Sequence, residues 1–288
     1  MPTPQHHTFT DAHGVTIHHY VWAADEPRAV LQLAHGLGEY ATRYQALADQ
    51  LAAAGISVWA HDNRGHGKTG VEQFGGDLSK LGRPGPGGLR AEVDVIHQFT
   101  GIIRAANPGL PLAYLGHSWG SILGQILLNE HADDFDAVIL SGTAYRMPGH
   151  MNAGDLNARH KHLGDTGYEW LSRDTAVAAA VAQDELFFHA EVMKLFGVVD
   201  ALKVFGRPTR LAKDVPMLIL IGSEDPLGGE VSVRKLAEAY IERGGLSDVE
   251  VVVYQEGRHE MFNETNQQEV RDDVQDWLTE RLGLLVEG

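Results

Sequence analysis

Pro111-Leu112-Ala113-Tyr114-Leu115-Gly116-His117-Ser118-Trp119-Gly120-Ser121-Ile122 is the stretch that decides the fold. Its first five residues are apolar and have the length of a buried strand. Residues 119–128 are almost wholly apolar and longer, which suits a buried helix. Between them lies Gly-x-Ser-x-Gly. That motif needs a strand, a sharp turn and then a helix, and this context supplies all three. The serine sits on a strained turn, and Gly116 and Gly120 remove side chains that would clash where strand and helix cross. The helix N-terminus favours negative charge near the serine oxygen. The competing reading is a glycine-bounded turn whose serine merely caps a helix. The strand before and the helix after favour Ser118 as a nucleophile.

Working outward, strand candidates fall at residues 15–22, 29–34, 57–61, 137–140, 217–221 and 249–254. Ala137-Val138-Ile139-Leu140 and Met217-Leu218-Ile219-Leu220-Ile221 are apolar throughout, which marks strands covered on both faces, as in a parallel sheet. Helical patterns alternate with them at 44–53, 91–106, 119–128, 233–243 and 270–282. Alternating strand and helix argues for an α/β fold. The opening strands have no helix between them and should form an antiparallel edge. The alternation stops at residues 143–213, where helical segments are expected at 175–181 and 185–196. That stretch reads as an inserted helical cap between a first core part, 1–142, and a second, 214–288. Residues 82–88, Gly-Arg-Pro-Gly-Pro-Gly-Gly, read as a loop.

A serine hydroxyl is a weak nucleophile. It needs a histidine to take its proton and an acid to orient that histidine. In this fold the chain order is serine, acid, histidine. The strand at 217–221 ends in Gly222-Ser223-Glu224-Asp225-Pro226, and a carboxylate at the carboxyl end of a parallel strand faces the ligand crevice. Asp225 is the candidate acid, with Glu224 its competitor. The last strand leads into Gly257-Arg258-His259-Glu260, and His259 is the only histidine after His189. The tetrahedral intermediate needs backbone donors. Trp119 should supply one. Leu37, in Ala34-His35-Gly36-Leu37-Gly38-Glu39-Tyr40, should supply the other, with Gly36 shaping the turn and His35 bracing it.

Several motifs then agree. His35-Gly36-Leu37-Gly38-Glu39-Tyr40 with Arg43-Tyr44, the run from Ala60 to Thr69, Gly116-His117-Ser118-Trp119-Gly120, Gly222-Ser223-Glu224-Asp225-Pro226 and Gly257-Arg258-His259-Glu260 resemble the monoacylglycerol lipase and lysophospholipase branch, serine aminopeptidase-like, of the α/β-hydrolases. The resemblance spans nearly the whole chain and is weakest across the cap. It implies a mostly parallel eight-stranded sheet with helices on both faces and a helical cap. It implies a triad of Ser118, Asp225 and His259 and an oxyanion hole from Leu37 and Trp119. Trp119 stands where methionine is common in that branch, and Ser121 where a further glycine is common. A tryptophan keeps the amide donor but changes the acyl pocket.

The expected reaction is hydrolysis of carboxylic esters through an acyl-enzyme on Ser118, on monoacylglycerol-like or short- to medium-chain substrates. The alternatives are a lysophospholipase, an amidase or a perhydrolase with the same triad, or a non-catalytic small-molecule-binding protein on the same scaffold. Substrate contacts are expected from Gly36 and from the apolar cap residues Tyr145, Met147, Leu163, Phe187, Phe188 and Met193. Burying an acyl chain there gains about 0.8 kcal/mol per CH₂. The cap is also where transient contact with lipid surfaces is expected.

Composition closes off other classes. The 288 residues carry a formal net charge of −16 and no cysteine. Such a surface repels nucleic acid phosphates and anionic membranes, and without cysteine there is neither a disulfide framework nor a thiolate ligand. No cofactor and no metal are expected; His61, Asp62 and His66 read as a structural turn rather than a ligand set. The N-terminal histidines His6, His7, His13, His18 and His19 read as surface groups. No stretch reaches the about 18 apolar residues of a membrane span, and the opening residues do not resemble a signal peptide. A cytoplasmic protein is expected.

Overall fold

The computed structural model describes residues 3–285; the outermost residues of the two expected core parts lie outside them. The chain runs β1 (Gln5–Thr10), β2 (Thr16–Trp22), β3 (Ala29–Ala34), α1 (Gln45–Ala53), β4 (Ile56–His61), α2 (Gly67–Gln73), α3 (Gly88–Ala106), β5 (Leu112–His117), α4 (Trp119–His131) and β6 (Ala137–Ser141). It continues through α5 (Thr175–Val181), α6 (Val192–Lys203), β7 (Met217–Gly222), α7 (Gly229–Ala239), β8 (Val249–Tyr254) and α8 (Gln267–Arg281).

The eight strands form one sheet in the order β1-β2-β4-β3-β5-β6-β7-β8. β1 and β2 pair antiparallel, as do β2 and β4, and every other pairing is parallel. Side chains alternate across the pleat, so each central strand feeds two cores. From β7, Met217, Ile219 and Ile221 pack under α3, α4 and α7, while Leu218 and Leu220 pack under α1 and α8. Two helical layers therefore sandwich the central strands of the sheet. Between β6 and β7 the chain adds no strand. It carries α5, whose N-terminus is capped by Asp174 accepting from the Ala176 amide at 2.9 Å, and α6, which is broken at Gly197 (φ 74°).

Several readings need correction. β1 escapes a hydrophobic-pattern reading because all its residues but Phe9 are polar and exposed; it forms by pairing along β2. His19 is not a surface group. It is buried, with its ring 5.9 Å from Trp59 and 5.0 Å from Phe99. The second cap helix starts at Val192 and not at residue 185, because Phe187 and Phe188 turn inward toward the loop after β3 instead of extending a helix. Residues 67–73 form the short helix α2, seeded when Asp62 accepts from the Lys68 amide at 2.9 Å.

Candidate active site

The carboxyl ends of β3, β5, β7 and β8 carry the candidate residues to one edge of the sheet. Ser118 follows β5 with φ 49° and ψ −113°, a conformation costly for a non-glycine residue. Its amide donates to Ser141 O at 2.9 Å, and the Gly120 amide donates to His35 O at 3.1 Å. A Cβ on Gly120 would collide with the Ala34 carbonyl, and one on Gly116 with the Gly120 backbone. Both glycines are thus set by close approach. The turn lifts Ser118 to partial exposure while its neighbours stay buried.

After β7, Asp225 is buried. Its Oδ1 accepts from the Leu227 amide at 2.8 Å and its Oδ2 from His259 Nδ1 at 2.9 Å. That bond fixes the tautomer: Nδ1 carries the proton and Nε2 is left as an acceptor. Nε2 is buried and has no hydrogen-bond partner among the described residues. Burial alone would lower the His259 pKa, but the Asp225 carboxylate outweighs it and holds the pKa above the ordinary 6.5. The imidazole packs 4.9 Å from the ring of His117, next to Ser118, and lies 4.7 Å from the indole of Trp170 in the cap segment. The Glu260 amide donates to Leu171 O at 2.7 Å, so cap and histidine loop are tied together. Glu224, the competing acid, pairs instead with Arg159 at 2.7 Å on the surface.

The loop after β3 is pinned from both sides. His35 Nδ1 donates to Gly36 O at 2.7 Å and Nε2 accepts from the Asn63 amide at 2.9 Å. The Gly36 amide donates to Glu39 Oε1 at 2.6 Å. A Cβ on Gly36 would lie 3.1 Å from Ser118 Cβ, so this loop passes directly beside the serine. The amides of Leu37 and Trp119 have no acceptor among the described residues. Two free donors beside a serine suit a developing oxyanion.

An ion cluster joins this loop to the histidine loop. Arg43 Nη1 reaches Glu39 Oε2 and Glu260 Oε1, each at 2.7 Å, and Nη2 reaches Glu260 Oε2 at 2.8 Å. Burial alone would raise Glu260, but the guanidinium holds it below the carboxylate range; burial pushes Glu39 above it. The sequence offers only Glu39 and Glu260, one acid in each of the two loops, and motif spacing alone does not connect them.

The expected substrate contacts separate. Phe188 meets the oxyanion loop: its amide donates to Gly38 O at 3.1 Å and its ring lies 5.2 Å from His66. Phe187 lies under Arg43, 4.8 Å from the guanidinium carbon. Tyr145 packs against the core beyond α4, its amide donating to Ser232 Oγ. Met147 Sδ accepts from Arg207 at 3.4 Å. Leu163 lines a polar hollow of about 470 Å³ with Arg159, Arg173, Arg258 and Glu224, and Met193 is 62% exposed. Phe196 packs with its ring centroid 4.9 Å from the indole of Trp119, the residue after Ser118.

His61, Asp62 and His66 do not converge on a common point. Asp62 accepts from the Ala41 and Lys68 amides and from Tyr20, while His66 Nδ1 contacts Arg64 O. No helix among the described residues is long and apolar enough to cross a membrane.

The family model described as serine aminopeptidase, S33, matches residues 25–266. The chain is 33% identical to the monoacylglycerol lipase of Mycolicibacterium smegmatis, over 97% of this chain and 99% of that one. It is 26% identical to the human monoglyceride lipase, over 88% of this chain and 84% of the relative. The crystal structure of a thermostable carboxyl esterase from Bacillus coagulans in complex with glycerol superposes with a TM-score of 0.85 at 22% identity, over 98% of this chain and 100% of that one. This last likeness shows the fold.

Proposed function

The chain belongs to the serine aminopeptidase S33 family and is a serine hydrolase of carboxylic esters, and we propose that Ser118, Asp225 and His259 carry the reaction on monoacylglycerols and related short- to medium-chain esters. The single observation that carries the residue assignment is the His259–Asp225 bond. It leaves Nε2 buried and unbonded on a ring that packs 4.9 Å from His117, the residue that precedes a serine held in strained geometry.

Ser118 Oγ attacks the ester carbonyl as His259 Nε2 takes its proton. The carbonyl oxygen becomes an oxyanion facing the Leu37 and Trp119 amides, each such donor being worth roughly 10²–10³ in rate. The intermediate collapses, the C–O bond to the alcohol breaks, and His259 returns the proton to the leaving alcohol. Water then enters, gives a proton to His259, and attacks the acyl-enzyme. The fatty acid leaves and Ser118 regains its proton. Asp225 holds the ring and stabilises the imidazolium throughout.

Phe187, Phe188 and Phe196 supply apolar area for an acyl chain. Outside, α6 exposes Met193, Val198, Val199 and Leu202 at 62%, 58%, 70% and 64%. That face suits brief contact with a neutral lipid surface, while the chain's negative charge opposes an anionic one. The test is a substrate panel at fixed acyl length: 1-monoacylglycerol, lysophosphatidylcholine, a simple ethyl ester and the matching amide. Monoacylglycerol turnover at the highest kcat/KM, lost in Ser118→Ala, is expected. A preference for the lysophospholipid would replace this substrate class.

A further inference from the structure

Helix α3 buries Leu89, Val93, Ile96 and Phe99 on one stripe. Glu92 stands in that stripe and is 2% exposed, unlike Asp94 on the outer face. Its Oε2 accepts from the indole Nε1 of Trp119 at 2.7 Å. Its Oε1 is buried with no hydrogen-bond partner among the described residues. Burial pushes its pKa up to about 8, so at neutral pH it is mostly an uncharged acid. A half-satisfied carboxyl in a core costs stability. The fold keeps it where an apolar residue would pack more favourably, which calls for a role outside stability.

Trp119 points to that role. It directly follows the nucleophile, is 4% exposed, and shares its apolar cluster with Leu37 of the oxyanion loop. Its indole packs against Phe196 of the cap with ring centroids 4.9 Å apart. Phe196 is itself set by the break at Gly197. One ring therefore bridges α3, the serine turn and the cap. An acyl group whose carbonyl oxygen sat between the Leu37 and Trp119 amides would start its chain at the apolar cluster that holds both of these residues. The bond to Glu92 fixes the edge of the ring as the packing fixes its face.

We propose that Glu92 is a specificity-determining positioning residue: by clamping the Trp119 indole against Phe196 it makes a fixed wall that limits the length of acyl chain the site accepts. The proposal rests on the reading of Ser118 as the nucleophile of an ester hydrolase.

The test compares kcat/KM for p-nitrophenyl butyrate, octanoate and laurate in the parent protein and in Glu92→Gln, Glu92→Leu, Trp119→Phe and Trp119→Met. Glu92→Gln keeps an uncharged acceptor for the indole and should keep the parent profile. Glu92→Leu and Trp119→Phe remove the bond from either side and should both move the profile toward laurate. Trp119→Met removes the ring and should move it furthest. Each methylene newly admitted is worth about fourfold in kcat/KM, from about 0.8 kcal/mol per CH₂ at 1.36 kcal/mol per tenfold. If Glu92→Leu does not fold, Trp119→Phe carries the same test. Fluorophosphonate labelling of Ser118 is followed in parallel. Failure to label the parent protein sinks the nucleophile assignment. Intact labelling with one profile in every variant overturns the clamp alone, and so does a shift in Glu92→Gln as large as in Glu92→Leu.

Discussion

Replacing Arg43 with methionine should cost this protein more stability than any other single change at the site's rim. The guanidinium is 12% exposed and lies within 2.8 Å of two carboxylates that are 4% and 5% exposed. Methionine fills most of the volume but leaves Glu39 and Glu260 facing each other with no cation. Breaking a buried pair by removing one partner costs about 3–5 kcal/mol, because the remaining charge stays desolvated. At roughly 2 °C per kcal/mol for a chain of this size, Tm should fall by about 6–10 °C. Circular dichroism melts at pH 7 measure it. The triple variant Glu39→Gln, Arg43→Met, Glu260→Gln removes the stranded charges and should recover part of the loss. Activity should fall as well, since Glu39 holds the Gly36 amide and Glu260 adjoins His259. A Tm change below about 2 °C, or no recovery in the triple variant, would refute the reasoning.

Three further outcomes follow from the geometry. The lower limb of kcat/KM against pH should lie above 6.5, because Asp225 outweighs the effect of burial and raises His259; Asp225→Asn should shift that limb to lower pH and cut kcat by about 10³–10⁴. His19, His61 and His66 are buried and held at about 4, 3 and 4, so the unfolded chain binds protons below pH 6.5 that the folded one refuses. Stability should be complete above 6.5 and fall with pH toward 4 by up to about 1.4 kcal/mol per unit for each histidine; urea midpoints at pH 7 and 5 test this, and His19→Phe should flatten the slope. Gly36→Ala should lower kcat by about 10²-fold with a smaller effect on KM, because its Cβ would meet Glu39 Oε1 at 2.7 Å and Ser118 Cβ at 3.1 Å and push the oxyanion loop off position; steady-state kinetics against parent values decide it.

What could be read from the sequence was what repeats or stands next to itself in the chain. The inner strands announce themselves because both faces are covered and apolar residues run unbroken, as in residues 137–140 of β6 and 217–221 of β7. Ser118, Asp225 and His259 stand out as candidates because each follows a strand in the order this fold requires. β1 was not, since its pairing with β2 is backbone hydrogen bonding that polar side chains do not signal. His19 reads as a surface group with the other N-terminal histidines, yet Trp59 and Phe99 close over it. The cap misled most. An apolar residue there could pack inward, as Phe188 does, or face outward, as Met193 does, and composition does not distinguish them. Glu92 left a trace, an acid within the apolar stripe of α3, but its partner Trp119 lies 27 positions away.

The central claim is that Ser118 forms the covalent intermediate. A fluorophosphonate ester mimics the tetrahedral intermediate and marks the activated serine, so intact-mass and peptide analysis of the treated protein tests it most directly. One adduct per chain is expected, on the peptide bearing Gly116-His117-Ser118-Trp119-Gly120, absent in Ser118→Ala and strongly slowed in His259→Ala. An adduct on a different serine, or ester turnover surviving in Ser118→Ala, would contradict the account.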